Sequence, residues 1–199
     1  MLKNNDHKYG KSAMGQSEVQ HDLARYYEQQ KDTANARYHY ELGAREGTAR
    51  GHSEYGFYLD FFSTCRADAE ESFRQLLTAA KQGDLQAQLE VAATYGIGTK
   101  IVRKSAKQEF FWYMKAARRG SYMGAFGVGR CYAHGFGVKR DLLMARAWLH
   151  RALVRSRGRL EGLMESQGLI DLMDSVALRV PRHLVKATLR NPGLYRFAV

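Results

Sequence analysis

Two glycines, Gly135 and Gly137, stand just ahead of Lys139 in the stretch CYAHGFGVKRDLLMARAWLHRAL, residues 131–153. Glycine amides followed by a lysine and a helix can cradle a phosphate. The same glycines can close one helix and aim the next, because glycine adopts positive φ without a steric penalty. A phosphate loop of this type needs Gly-x-x-x-x-Gly-Lys-Ser/Thr after a strand. Here Arg140 and Asp141 follow the lysine, and a helical pattern precedes it. The spacing therefore favours a hinge over a nucleotide site.

The other reactive side chains are scattered. The seven histidines, at 7, 21, 39, 52, 134, 150 and 183, show no His-x-x-x-His pair, the spacing that places two zinc ligands on one helix face. Cys65 and Cys131 have no cysteine close by in sequence, so reduced thiols are expected, with a disulfide or a metal pair as the alternative. Asp171 and Asp174 are three apart and could mimic paired carboxylates, yet two acids on one helix face are usually solvated. No serine or cysteine has a recognisable nucleophile context. The aromatic runs YGFYLDFF (55–62) and FFWYM (110–114) could stack bases. At helical spacing they are instead expected in the core. No enzyme, metal or cofactor is predicted.

Charge is more informative. The chain has 199 residues and a net charge of +11. Residues 1–100 carry 12 cations against 14 acids, whereas 101–199 carry 19 against 6, and fourteen of those nineteen cations are arginines. Arg118, Arg119, Arg130, Arg140, Arg146, Arg151, Arg155, Arg157 and Arg159 crowd one region. Arginine pairs bidentately with carboxylates and phosphates. This leaves nucleic-acid binding as an alternative to a solvated basic face. There is no apolar run long enough for a membrane span. The start lacks the apolar middle of a secretory signal, so a cytoplasmic protein is expected.

The elements that position these residues follow a period. The glycines closing GAREG, AAKQG and AARRG, at 47, 83 and 120, lie 36 and 37 residues apart. Trp112 and Trp148 are 36 apart, as are Asp32 and Asp68, and Asp141 follows 73 beyond Asp68. A small residue stands four places after each aspartate: Ala36, Ser72 and Ala145. A fixed period of this length marks a helical repeat. Leu142, Ala145, Trp148, Leu149 and Ala152 trace one face of a 3.6-residue helix. Asp141 occupies an N-cap position, and the glycines fall where helices end. A helix pair of this size cannot bury its own apolar face, so neighbouring pairs must stack.

These residues resemble a Sel1-like repeat, a tetratricopeptide-type helical repeat. In residues 120–156 the pattern is carried by Gly124, Val128–Gly129, Tyr132, Gly135-Phe136-Gly137-Val138, Asp141, Ala145, Trp148 and Ala152–Leu153. In 83–120 it keeps Ala87, Val91–Ala92, Tyr95 and Gly98, with Lys100 for the second connector glycine and Lys104 or Ser105 for the aspartate. Residues 47–83 are more degenerate, and 15–47 keep mainly Asp32, Ala36 and the closing glycine. The expected fold is all-α, a right-handed superhelical α-solenoid of about four helix pairs over 15–156, with units of about 15–47, 47–83, 83–120 and 120–156. Residues 1–14 are expected to be disordered.

The tail, 157–199, departs from the repeat. Its helical pattern is expected to cap the apolar end of the array, the alternative being an amphipathic element that binds a partner or a membrane surface. The resemblance implies a non-catalytic adaptor or scaffold that holds a protein or peptide on the concave face lined by each first helix, and that can regulate what it binds. Between the packing positions, the open ones are Phe126, Arg130 and Ala133, then Leu89, Ala93 and Gly96, then Ser53, Phe57 and Asp60, flanked by Met123, His134 and Arg50. A groove with apolar anchors and a basic end suits an acidic peptide. Arg118, Arg119, Arg151, Arg155, Arg157 and Arg159 form the expected basic patch. Partner identity and oligomeric state do not follow from shape.

Overall fold

The computed structural model describes residues 16–62 and 65–156, and every regular element among them is an α-helix. In chain order these are α1 (Gln16–Gln29), α2 (Thr33–Arg45), α3 (Ala49–Phe62), α4 (Arg66–Gln82), α5 (Leu85–Ile97), α6 (Ala106–Arg118), α7 (Tyr122–His134) and α8 (Leu142–Ser156). The helices fall into two compact units that divide between Asp84 and Leu85. In the first, α1 packs on α2, α2 on α3 and α3 on α4; in the second, α5 to α8 pack in the same successive way. The expected N-terminal segment 1–14 and tail 157–199 lie outside the described residues, as do Arg157, Arg159, Asp171 and Asp174.

The boundaries have local causes. Asp32 caps α2 by accepting the Asn35 amide at 3.1 Å, and Asp141 accepts the Met144 amide at 3.0 Å ahead of α8. Ser105 takes that place for α6 and Ser121 for α7, accepting from Gln108 and Gly124. Each cap satisfies an amide that the helix itself leaves without a partner. The aspartate of the second unit of the period behaves differently. Cys65 stands at the N-cap of α4, so Asp68 falls in the first turn, where it accepts from Arg37 of α2 at 2.7 Å. The glycines at 47, 83 and 120 all have positive φ, at 74°, 104° and 98°. Their amides turn back onto carbonyls of the last helical turn, and so do the amides that follow Gly83 and Gly120, as with Gly83 on Ala80 and Asp84 on Ala79.

The small residues of the period allow close helix approach. Ala36 and Ala145 are fully buried and Ser72 nearly so, its hydroxyl donating to the Gly56 carbonyl at 2.9 Å. On α7, a Cβ at Gly129 would lie 2.7 Å from Leu149 Cγ of α8, so only glycine fits without displacement. The second unit closes around Phe110, Met114, Val128, Tyr132 and Trp148, and the first around Tyr40, Tyr55, Tyr58 and Leu59. Trp148 is 1% exposed; sheltering a side chain of that size is worth about 2–3 kcal/mol.

The aromatic runs are only partly core. Phe110, Trp112, Tyr55 and Tyr58 are buried, but Phe61, Phe62 and Phe111 are exposed, Phe61 by 82%. A helix has one inward stripe, and consecutive aromatics cannot all share it.

Candidate functional site

In the loop between α7 and α8, three backbone amides are already engaged by the protein itself. Gly135 (φ 79°) and Phe136 both donate to the Cys131 carbonyl, at 2.8 and 2.9 Å. Asp141 donates to Tyr132 O at 3.0 Å, and the Arg140 guanidinium to Ala133 O at 3.0 Å. These bonds fix the angle at which the chain leaves one helix for the next. The loop is a hinge between core helices. Among the described residues, no three His, Cys, Asp or Glu side chains come together as metal ligands would.

In the second unit, Met123, Phe126, Arg130 and His134 stand at intervals of three, four and four residues along α7, which places them on one face. Met123 and Phe126 are half-buried against the core below, and His134 is exposed, stacked on Phe136 with centroids 5.1 Å apart. On α5, Leu89, Ala93 and Gly96 are partly accessible. Ala133, predicted to be open, is buried against the α8 side and is no contact residue.

Arg130 is not simply a free cation. Its guanidinium donates to Glu109 of α6 at 3.4 Å, and the Glu109 side chain is 4% exposed. That carboxylate fills the space a side chain would occupy at Gly96. Burial pushes the Glu109 carboxyl above its ordinary range, while Arg130 and then Lys104 pull it back. Sequence reading missed Glu109. The available signal is an acid at the inward positions of α6, three residues before Trp112 and seven before Ala116. Arg130 itself remains 41% exposed, with further N–H donors beyond the one that Glu109 takes.

The arginines of the expected basic patch divide. Arg118 and Arg119 are exposed at the end of α6. Arg151 lies over the Trp148 ring at 5.1 Å, and Arg155 reaches the Ala117 carbonyl at 3.5 Å. Part of this charge therefore holds the seam between α6 and α8.

In the first unit, Phe57 and Asp60 line a cleft of about 480 Å³ between α1 and α3, with Tyr40 of α2 as its floor. Glu28, Glu54 and Phe61 stand around it, as do His21 and Arg25; none of these five was predicted. Arg50, on α3, is engaged by Glu54 of the same helix at 2.7 Å and by Glu18 of α1 at 3.5 Å. Ser53, expected on the open face, is instead 6% exposed, and its hydroxyl donates to Asp84 at 3.2 Å. It faces α4 and the closing turn. His21 Nδ1 comes within 2.7 Å of Glu54, though out of line for a hydrogen bond.

Successive packed helix pairs joined by capped turns define a helix-pair repeat protein. The chain belongs to the Sel1 repeat family, whose model matches residues 17–48, 85–121 and 123–153. Such repeats are generally protein–protein interaction modules. The match includes the first pair, where the sequence keeps little of the pattern, and leaves out 49–84, where α3 and α4 nevertheless form. The chain is similar to the chitin synthase regulator SKT5 of Saccharomyces cerevisiae, 31% identical over 90 residues, which is 45% of this chain and 13% of that protein. Two crystal structures share the fold. The protective antigen c5321 of uropathogenic Escherichia coli strains, displaying an SLR fold, aligns with a TM-score of 0.68 at 22% identity, over 85% of this chain and 35% of the antigen. A Sel1 repeat protein from Oxalobacter formigenes aligns with 0.66 at 24% identity, over 88% and 55%. The chain thus spans about an eighth of its curated relative and a third to a half of these structures. Among the described residues, no helix is long and apolar enough to cross a membrane.

Proposed function

We propose that this chain is a non-catalytic adaptor that holds a partner protein or peptide on the first-helix faces of its repeats and regulates it by docking. In the second unit the bound segment is acidic. The observation that carries this reading is the row Met123, Phe126, Arg130 and His134 on α7: two half-buried apolar side chains next to a guanidinium that keeps 41% of its surface open. Apolar anchors with a flanking cation suit a peptide bearing a carboxylate. The likeness to a chitin synthase regulator over 90 residues supports a regulatory role.

The test needs care because Arg130 also neutralises Glu109. Replacing the arginine alone strands a buried carboxylate, which destabilises the fold whatever the partner does. The informative variants are Phe126→Ser and the pair Glu109→Gln with Arg130→Gln, each verified as helical by circular dichroism. Tagged wild type should retain a stoichiometric partner from the source lysate after nuclease treatment, and both folded variants should lose it. Unchanged retention would sink the site. A retained set that disappears with nuclease and weakens steeply with salt would instead assign the basic half, with Arg118 and Arg119 exposed at its surface, to nucleic acid.

A further inference from the structure

The geometry points to a second, oppositely charged docking site: the cleft between α1 and α3 receives an arginine side chain from a basic peptide of a partner. The wall is a run of aromatic rings. Tyr40 and Tyr58 have centroids 4.8 Å apart, Tyr58 and Phe62 also 4.8 Å, and Phe62 and Phe61 4.9 Å. The two tyrosines are buried and fixed: Tyr58 donates to Thr33 O at 2.8 Å, and Tyr40 donates to Glu28 at 2.9 Å. The run then continues outward to Phe61, which leaves 82% of its surface in water at the rim of the cleft. An exposed ring at the end of an ordered aromatic row is a face on which another group can lie.

Charge selects that group. The cleft is lined by three carboxylates, Glu28, Glu54 and Asp60, against one permanent cation, Arg25. Glu54 is held by Arg50, and one oxygen of Glu28 is held by Tyr40. Asp60 is exposed, and Phe57, three residues before it on α3, also lines the cleft. Nearby Glu18 and Asp22 add to the negative field around Arg50. This acidity lies in the half of the chain that carries 14 acids against 12 cations, although the net charge of the whole chain is +11.

A guanidinium matches both features at once. Its plane stacks on aromatic faces, and its edge pairs bidentately with a carboxylate. A lysine ammonium provides the charge but not the plane. An acidic peptide, which suits the α7 face, is repelled here. The inference shares with the proposed function only the view that first helices are docking faces; its residues and its ligand chemistry are separate.

The experiment is fluorescence anisotropy on the full chain with a labelled nine-residue glycine–serine peptide carrying two arginines. The same peptide with citrulline, with lysine or with glutamate in their place serves for comparison. Arginine should bind best, lysine several-fold more weakly, and citrulline and glutamate not measurably. Phe61→Ala and Asp60→Asn change exposed side chains and leave the core intact; each should weaken arginine-peptide binding by about three- to tenfold. The Glu109→Gln/Arg130→Gln pair should leave it unchanged, so failure of the α7 site and failure of this one are distinguishable. Equal binding of arginine and citrulline peptides, or no effect of Phe61→Ala and Asp60→Asn, overturns the proposal. So does a self-associated protein in sedimentation velocity that Phe61→Ala disperses while no peptide binds, because the cleft would then be filled by a second copy.

Discussion

Replacing glycine by alanine inside a helix ordinarily stabilises it by about 0.5–1 kcal/mol, because alanine restricts the unfolded chain and favours the helix. Two glycines of this protein should respond with opposite signs. At Gly43 in α2, an added Cβ meets only the Cβ of Gln20 at 3.7 Å, an ordinary contact. Gly43→Ala should therefore gain close to the full amount, about 0.5 kcal/mol or slightly more. At Gly129 in α7, the added carbon would lie 2.7 Å from Leu149 Cγ and 2.8 Å from its Cδ2, with the Ala145 carbonyl at 3.3 Å. Leu149 is 3% exposed, and Cγ is the branch point of the side chain, so it cannot swing aside into solvent. Overpacking of this kind costs about 1–3 kcal/mol. After the propensity gain of about 1 kcal/mol, Gly129→Ala should be destabilising by up to about 2 kcal/mol. Urea denaturation followed by helical ellipticity measures both. A cycle with Leu149→Ala sharpens the result: the double variant should be less destabilised than the sum of the singles, because the new methyl fills part of the cavity. If Gly129→Ala stabilised the protein as much as Gly43→Ala, the claim that glycine sets the α7–α8 approach would be refuted.

Two further outcomes follow from the titratable groups. Cys131 is fully buried, and burial, with a smaller contribution from Glu109, pushes its thiol up to about 12; Cys65 is exposed. At pH 8 a thiol reagent should react with Cys65 at once and with Cys131 only at the rate of unfolding, and two equally fast thiols would contradict the burial. The Arg37 hydrogen bond holds the Asp68 carboxyl below its ordinary value of 3.8. The resulting stabilisation is present above the unfolded pKa and is lost as pH falls through the folded one. It should be small, because the Arg37 side chain is 46% exposed and salt screens it. Carboxyl NMR should show Asp68 titrating below 3.8 in the wild type and returning toward it in Arg37→Gln; an unmoved titration would exclude the pair.

What the sequence revealed tracks what repeats. The period places Gly83, Gly120, Asp32, Asp141, Ala36 and Ala145 in equivalent surroundings, and each is at a helix end or a helix–helix contact. These roles are set by backbone geometry within a dozen residues, so spacing suffices to read them. Asp68 kept the spacing but not the role, because Cys65 starts α4 one turn earlier and the carboxylate meets Arg37 of the preceding helix. Ser53 failed for a related reason. Counting from the packing positions put it on the open face, but its partner is Asp84, 31 residues away in the closing turn. The pairing of Glu109 with Arg130 and the meeting of α1 and α3 around the cleft were not legible, because each depends on side chains from separate helices meeting across a contact that no local pattern encodes.

The positions that do not repeat carry the information about partners. If the first helices differed only at random, their accessible residues would show no agreement between shape and charge. On α7 the half-buried Met123 and Phe126 sit beside an arginine that is partly neutralised by a carboxylate beneath it. Between α1 and α3 the buried Tyr40 and Tyr58 sit beside carboxylates, one of which a tyrosine hydroxyl orients. In both places an apolar surface is joined to a charge whose own partner lies inside the protein, an arrangement that holds the charged group still. A fixed charge beside a fixed apolar surface loses less conformational freedom on binding than a mobile side chain does. That distinguishes these two faces from Arg119, which is exposed just past the end of α6. It also makes the opposite signs of the two faces testable as a pair: one chain should bind acidic and basic segments at once, each insensitive to mutation of the other's site, and competition between the two peptides would show that a single surface serves both.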